Sequence, residues 1–132
     1  MSNQPSATDL VAGFFENFGA GNLPGLIALF ADEVDFRVAG APNVPWAGAR
    51  RTPDEIEAFF KTLGSELTTE AFAVDAVFGD ADNAGAAGSF TQLVNGTQKR
   101  FSSDFALHVV ASAGKIVKFR FYEDSYAVAQ AF

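Results

Sequence analysis

The chain has 132 residues, 48% of them apolar, with fifteen phenylalanines against one tryptophan and two tyrosines. That length reads as a single domain with enough apolar material for a core, and a formal charge of −7 excludes a basic nucleic-acid or anionic-membrane face. The absence of cysteine and the single histidine leave no disulfide framework and no thiolate metal site, so neither metal nor cofactor is expected.

Residues 1–7 read as an N-terminal tail. Met1 to Ser6 has neither the basic patch nor the apolar run of a signal peptide. No apolar stretch reaches the roughly 18 residues of a spanning helix. A soluble, cytoplasmic protein is the expectation. Thr8 is positioned to cap a helix whose apolar residues Leu10, Val11, Phe14, Phe15 and Phe18 follow a 3.6-residue period, ended by Gly19 and Gly21. Asn22 opens a second helix with Pro24 in its first turn and Leu23, Leu26, Ile27, Leu29 and Phe30 apolar.

Val34 to Val38 reads as a short strand, with Asp35 and Arg37 as a surface pair on one side and Phe36 and Val38 on the other. Ala39 to Arg51 is a loop broken by Gly40, Pro42, Pro45 and Gly48. Thr52–Pro53–Asp54–Glu55 is a capping box for a helix carrying Ile56, Phe59, Phe60 and Leu63, stopped at Gly64. Thereafter the period falls toward two. Strands are predicted from about Phe72 to Gly79, Ala84 to Val94, Lys99 to Ala111 and Lys115 to Tyr122, with Asn95–Gly96 as a type I′ hairpin signal. A short helix from Ser125 to Phe132 closes the chain.

Three helices followed by a long meander define an α+β class: a curved antiparallel sheet, cone-shaped and roofed by three N-terminal helices, in one domain. A sheet with two apolar faces also predicts a homodimer.

Several strings carry a family resemblance. Gly19–Ala20–Gly21–Asn22–Leu23–Pro24–Gly25–Leu26 leads to Ala28–Leu29–Phe30–Ala31–Asp32; Pro45–Trp46–Ala47–Gly48 precedes the Thr52 helix; Gly114–Lys115–Ile116 leads to Arg120, Tyr122 and Asp124. In order and spacing, over about residues 8–128, they resemble the ketosteroid-isomerase-like, nuclear transport factor 2-like superfamily, in its SnoaL-like branch. That resemblance implies helices roofing a deep apolar cavity. It also implies a test of the isomerase groups. The tyrosine position falls on Phe14, the base position beside Val38, and the strand aspartate near Ala106, so isomerisation by the ketosteroid route is rejected. The Arg–x–Asp of limonene-type epoxide hydrolases does not occur, although that activity stays as a further alternative.

The best remaining acid is Asp104. Four residues from His108 on one strand, it shares that residue's face at roughly 13 Å, with the small Ala106 between. The expectation is that Asp104 moves a proton and His108 polarises an oxygen or relays. The alternatives are a solvated Asp104 paired with Arg100 or Lys99, and a structural His108. The wall of the pocket is expected from Phe14, Phe18, Phe36, Val38, Trp46, Phe59, Phe60, Ala106, Phe119 and Phe121. The functional expectation is a pocket for a small lipophilic or aromatic molecule. Its chemistry would be cofactor-independent isomerisation, cyclisation or dehydration, or else non-catalytic ligand binding or dimerisation.

Overall fold

The structure is a computed structural model and describes residues 4–38, 40 and 43–132. Helix α1 (Ala7–Ala20) starts one turn before the strongest apolar periodicity. Its cap is Ser6 rather than Thr8: the Ser6 hydroxyl accepts the Asp9 N–H while the Asp9 carboxylate accepts the Ser6 N–H, both at 3.1 Å. This reciprocal box satisfies two backbone donors at once, which Thr8 could not do from inside the helix. The expected tail is therefore shorter; Ala7 is already buried and its N–H donates to the Ala81 carbonyl at 2.8 Å. Residues 1–3 lie outside the described residues.

Gly21, left-handed at φ 68°, ends α1, and the Asn22 side chain caps the short α2 (Leu23–Ile27) by accepting the Gly25 N–H. Strand β1 (Phe30–Val38) is longer than predicted, because Phe30 to Glu33 extend it at the start. Part of the expected loop forms a short strand, β2 (Gly48–Arg50), paired antiparallel with β1. Helix α3 (Pro53–Glu66) carries the predicted Thr52/Glu55 box and runs through Gly64. The remaining strands are β3 (Leu67–Gly79), β4 (Asn83–Val94), β5 (Lys99–Ser112) and β6 (Lys115–Glu123), followed by α4 (Ser125–Gln130).

The strands form one open, curved sheet in the order β2-β1-β6-β5-β4-β3. From β3 to β6 it is an antiparallel meander, and β1 joins it alongside β6 in the parallel sense. The turn after β4 is not the two-residue type I′ turn expected at Asn95–Gly96. Val94 pairs with Lys99, four residues intervene, and the positive φ falls on Gln98 at 60°. The Gln98 N–H reaches back to the Val94 carbonyl at 2.8 Å.

Helix α1 lies over β3 to β6 and α3 over β1 and β3, so one face of the sheet is roofed. Alternation then sorts the side chains. On β5, Phe101, Ser103, Phe105, Leu107 and Val109 are buried, while Ser102, Asp104 and Ala106 are exposed. The roofed face is filled by rings. Phe36 and Phe119 stack at 4.6 Å between centroids, Phe105 and Phe121 at 5.3 Å, and Phe14 leans on Phe119 at 5.2 Å. Gly88 makes room for this layer, since a Cβ there would meet the Phe105 ring at 2.7 Å. Edge and stacked contacts of this kind add stability beyond area burial.

Candidate functional site

Between the roof and the sheet lies a slot of about 60 Å³. That is room for a few water molecules at roughly 10–15 Å³ each. Phe14 and Phe18 reach it from α1, Phe59, Phe60 and Leu63 from α3, and Val38 and Trp46 from β1 and the loop after it. The sheet contributes Leu67, Phe72, Phe90, Phe101, Phe119 and Phe121. Two polar side chains, Gln92 and Glu123, complete the described lining besides the indole of Trp46.

Of the residues expected to wall the pocket, Phe14, Phe18, Val38, Trp46, Phe59, Phe60, Phe119 and Phe121 line it. Phe36 does not, because it is fully buried in the stack with Phe119. Asp104, Ala106 and His108 are corrected to the opposite, outer face. Burial of Phe105, Leu107 and Val109 turns their even-numbered neighbours away from the roof. There Asp104 is exposed, and His108 is half-buried with its Nε2 3.1 Å from the Asn83 Oδ1. Arg100 pairs with Glu70, at 2.7 Å, rather than with Asp104. Asp35 likewise takes Arg120 (2.6 Å) as its partner instead of Arg37, and that hydrogen bond holds its carboxyl below the ordinary value.

The acid that does face the slot is Glu123, at the last position of β6. It continues the inward series Phe119, Phe121, Glu123, one residue in two. Its place is fixed just beyond the strand: the Asp124 N–H donates to the Ser103 hydroxyl at 2.9 Å, and the Asp124 carboxylate caps α4 by accepting the Ala127 N–H at 3.0 Å. Burial among rings pushes the Glu123 carboxyl up to about 7, against a hydrogen bond from the Trp46 side chain that pulls it back. The only donor on that side chain is the indole N–H. Trp46 is itself held from behind. Its carbonyl accepts a hydrogen bond from the Arg50 guanidinium, which lies 4.8 Å from the Phe59 ring centre, and its indole meets Phe132 edge-on at 5.2 Å.

The arrangement sets a carboxyl whose pKa is raised to about 7 into an otherwise largely apolar wall. The sequence reading missed Glu123. The signal was present in the two-residue spacing that carries Phe119 and Phe121 inward. Among the described residues no group of three or more metal-ligating side chains gathers, and no helix is long and apolar enough to cross a membrane.

A SnoaL-like domain profile matches residues 11–119, and the chain belongs to the SnoaL-like domain family. It is similar to a nuclear transport factor 2-like protein of Burkholderia thailandensis, at 28% identity and a TM-score of 0.85 over 96% of both chains. It is also similar in fold to TerC co-crystallised with polyporic acid, at 13% identity and a TM-score of 0.81 over 96% of this chain and 98% of that one. In sequence it matches patulin biosynthesis cluster protein F of Penicillium expansum, 33% identical over 92 residues; the match takes in 67% of this chain and spans 46% of that relative.

Glu123 generates a testable pH dependence. In the folded chain it keeps its proton up to about 7, whereas its ordinary value is 4.5. The folded state thus binds more protons in that window, so this group's contribution to stability is complete below the lower value and lost as pH rises through the higher one. A shift of this size corresponds to about 3 kcal/mol. Urea denaturation at both ends of the window is expected to show this fall in wild type and a flatter profile in Glu123→Gln. Equal slopes in the two proteins would contradict the assignment.

Proposed function

We propose that the chain binds a small, lipophilic, flat molecule in the ring-lined slot and moves a proton on it with Glu123. The carrying observation is that Glu123, its carboxyl shifted to about 7, is the one titratable side chain among the described residues of a wall made mostly of phenylalanines. A base near neutral pKa is the form that serves general acid–base chemistry best. In the ionised state the Glu123 carboxylate takes a proton from a carbon beside a carbonyl. The electron pair of the broken C–H bond becomes the double bond of the enolate, with the charge on oxygen. The carboxylic acid so formed returns the proton to the same or another carbon, which gives exchange or isomerisation without a cofactor. The relation to a patulin cluster protein, and the co-crystallisation of TerC, a protein of the same fold, with polyporic acid, support a role in processing small molecules.

A second reading, ligand binding without chemistry, is favoured by the narrowness of the slot at about 60 Å³, well short of the roughly 300–1,000 Å³ of pockets that engulf drug-sized ligands. Deuterium exchange separates the two. With 2-tetralone as probe, exchange of the α-hydrogens is expected to exceed the buffer rate, to rise with pH through about 7 and to vanish in Glu123→Gln. Binding without exchange would establish the second reading instead.

We also propose a homodimer through the outer face of β3 to β6. Ala73, Ala76, Ala87 and Ala106 lie on that face, and Phe78 and Tyr122 are 57% and 50% exposed beside them. Small side chains allow two sheets to approach closely, and the large rings need cover. Light scattering at micromolar concentration is expected to give twice 14.0 kDa, and Ala106→Arg to return the mass of one chain. A wild-type monomer would refute the dimer.

A further inference from the structure

A second, wider cavity of about 330 Å³ adjoins the slot. It lies between the turn joining α1 to α2 and the end of α3. Phe18, Phe60, Leu63, Leu67 and Gln92 line both spaces, so they form the neck between an inner slot and an outer vestibule. None of the described residues lining the vestibule carries a charge. Its amides are also mostly spent. The Asn22 Nδ2 donates to the Asn17 Oδ1, the Asn17 Nδ2 to the Gly13 carbonyl, and the Asn22 Oδ1 accepts the Gly25 N–H.

Gln92 differs. It is 5% exposed, and its inward direction follows from Phe90 and Val94 on either side. Its Oε1 accepts the Thr69 hydroxyl at 2.8 Å, which fixes the amide. Among the described residues its NH₂ group has no hydrogen-bond partner. The NH₂ is not sealed off: it keeps accessible surface where Gln92 lines both spaces, so it is free to donate to an acceptor on a bound molecule.

Gln92 is also far from Glu123. Gln92 pairs with Phe101 and Glu123 with Phe105, which sets them roughly 13 Å apart along the strands and about 10 Å across them at the backbone. The two side chains therefore read opposite ends of a ligand.

From this geometry we infer the class of molecule: an uncharged, aromatic-sized substrate with a carbonyl or similar hydrogen-bond acceptor on its outer end, received by the Gln92 NH₂ at the neck. This rests on the proposed function of the slot and adds what the outer end must be. An anionic outer group would lose hydration against a neutral lining with no cation to meet it, on a chain already at −7. The Thr69 hydroxyl acts as a positioning group by holding the amide.

The test uses 2-acetylnaphthalene, 2-ethylnaphthalene and 2-naphthoate, with dissociation constants from ligand-observed NMR on the full chain. The ketone and the ethyl compound differ by one acceptor at nearly constant shape. Replacing Gln92 by the similarly sized Met (Gln92→Met) is expected to shift the ketone-to-ethyl affinity ratio about tenfold against the ketone, as one hydrogen bond would. Thr69→Val is expected to shift it less, in the same direction, and it leaves the slot intact if Gln92→Met fails to fold. In wild type the carboxylate is expected to bind more weakly than the ketone. A ratio unchanged in both variants, or naphthoate binding as tightly as the ketone, overturns the inference. Glu123→Gln separates it from the chemistry: the ratio is expected to persist there, so loss of exchange with a preserved ratio fails the catalytic reading alone. If no naphthalene binds wild type, the slot reading falls and this inference with it.

Discussion

A side chain that points into this cone meets phenylalanine, and phenylalanine returns no hydrogen bond. That constraint governs the rest of the molecule. It makes the roofed face of the sheet almost uniformly apolar, it ties α1 and α3 to the strands through ring contacts such as Phe14 with Phe119 and Phe36 with Phe59, and it raises the cost of every polar group admitted. Each polar group that is admitted comes with a restraint. Gln92 has the Thr69 hydroxyl, Ser103 has the Asp124 N–H, and Glu123 has the Trp46 indole.

The architecture places Glu123 with economy. A carboxyl in the middle of β6 would displace a ring from the stack. At the last position of the strand it borders the loop that brings Trp46, and α4 begins immediately after it. The Arg50 guanidinium behind Trp46, Phe132 against its indole and Ser103 below Asp124 all bear on the same corner. The raised carboxyl is thus a product of burial at a rigid junction, with a single neutral donor in place of a cation. An adjacent cation would have pulled its proton affinity down and left an ordinary carboxylate.

Much of this was legible in the sequence. The 3.6-residue spacing of Leu10, Val11, Phe14 and Phe18, the Thr52/Glu55 box and the switch to a period of two after α3 marked the helices and the meander, and three local strings pointed to the family. Eight of the ten wall residues were legible because they are large, apolar and regularly spaced. The errors have physical reasons. The first cap moved to Ser6 because Asp9 could reciprocate. The acid–histidine pair on β5 was chosen for its chemistry, although Phe101, Phe105 and Leu107 already assigned the odd positions to the interior and so turned Asp104 and His108 outward. Glu123 was overlooked at the end of a series whose phase was known. Its partner Trp46 lies 77 positions away, a contact that no local pattern announces.

The central claim is that burial in a ring-lined wall has made Glu123 a neutral-pH acid and base. The most direct test is a carbon-13 NMR titration of the side-chain carboxyls in protein labelled at glutamate, with the Glu123 signal assigned by its absence from Glu123→Gln. The account predicts that this one resonance titrates with a midpoint at about 7. A midpoint at the ordinary 4.5 would mean that the carboxyl is hydrated in solution, and would contradict both its burial and the chemistry built on it.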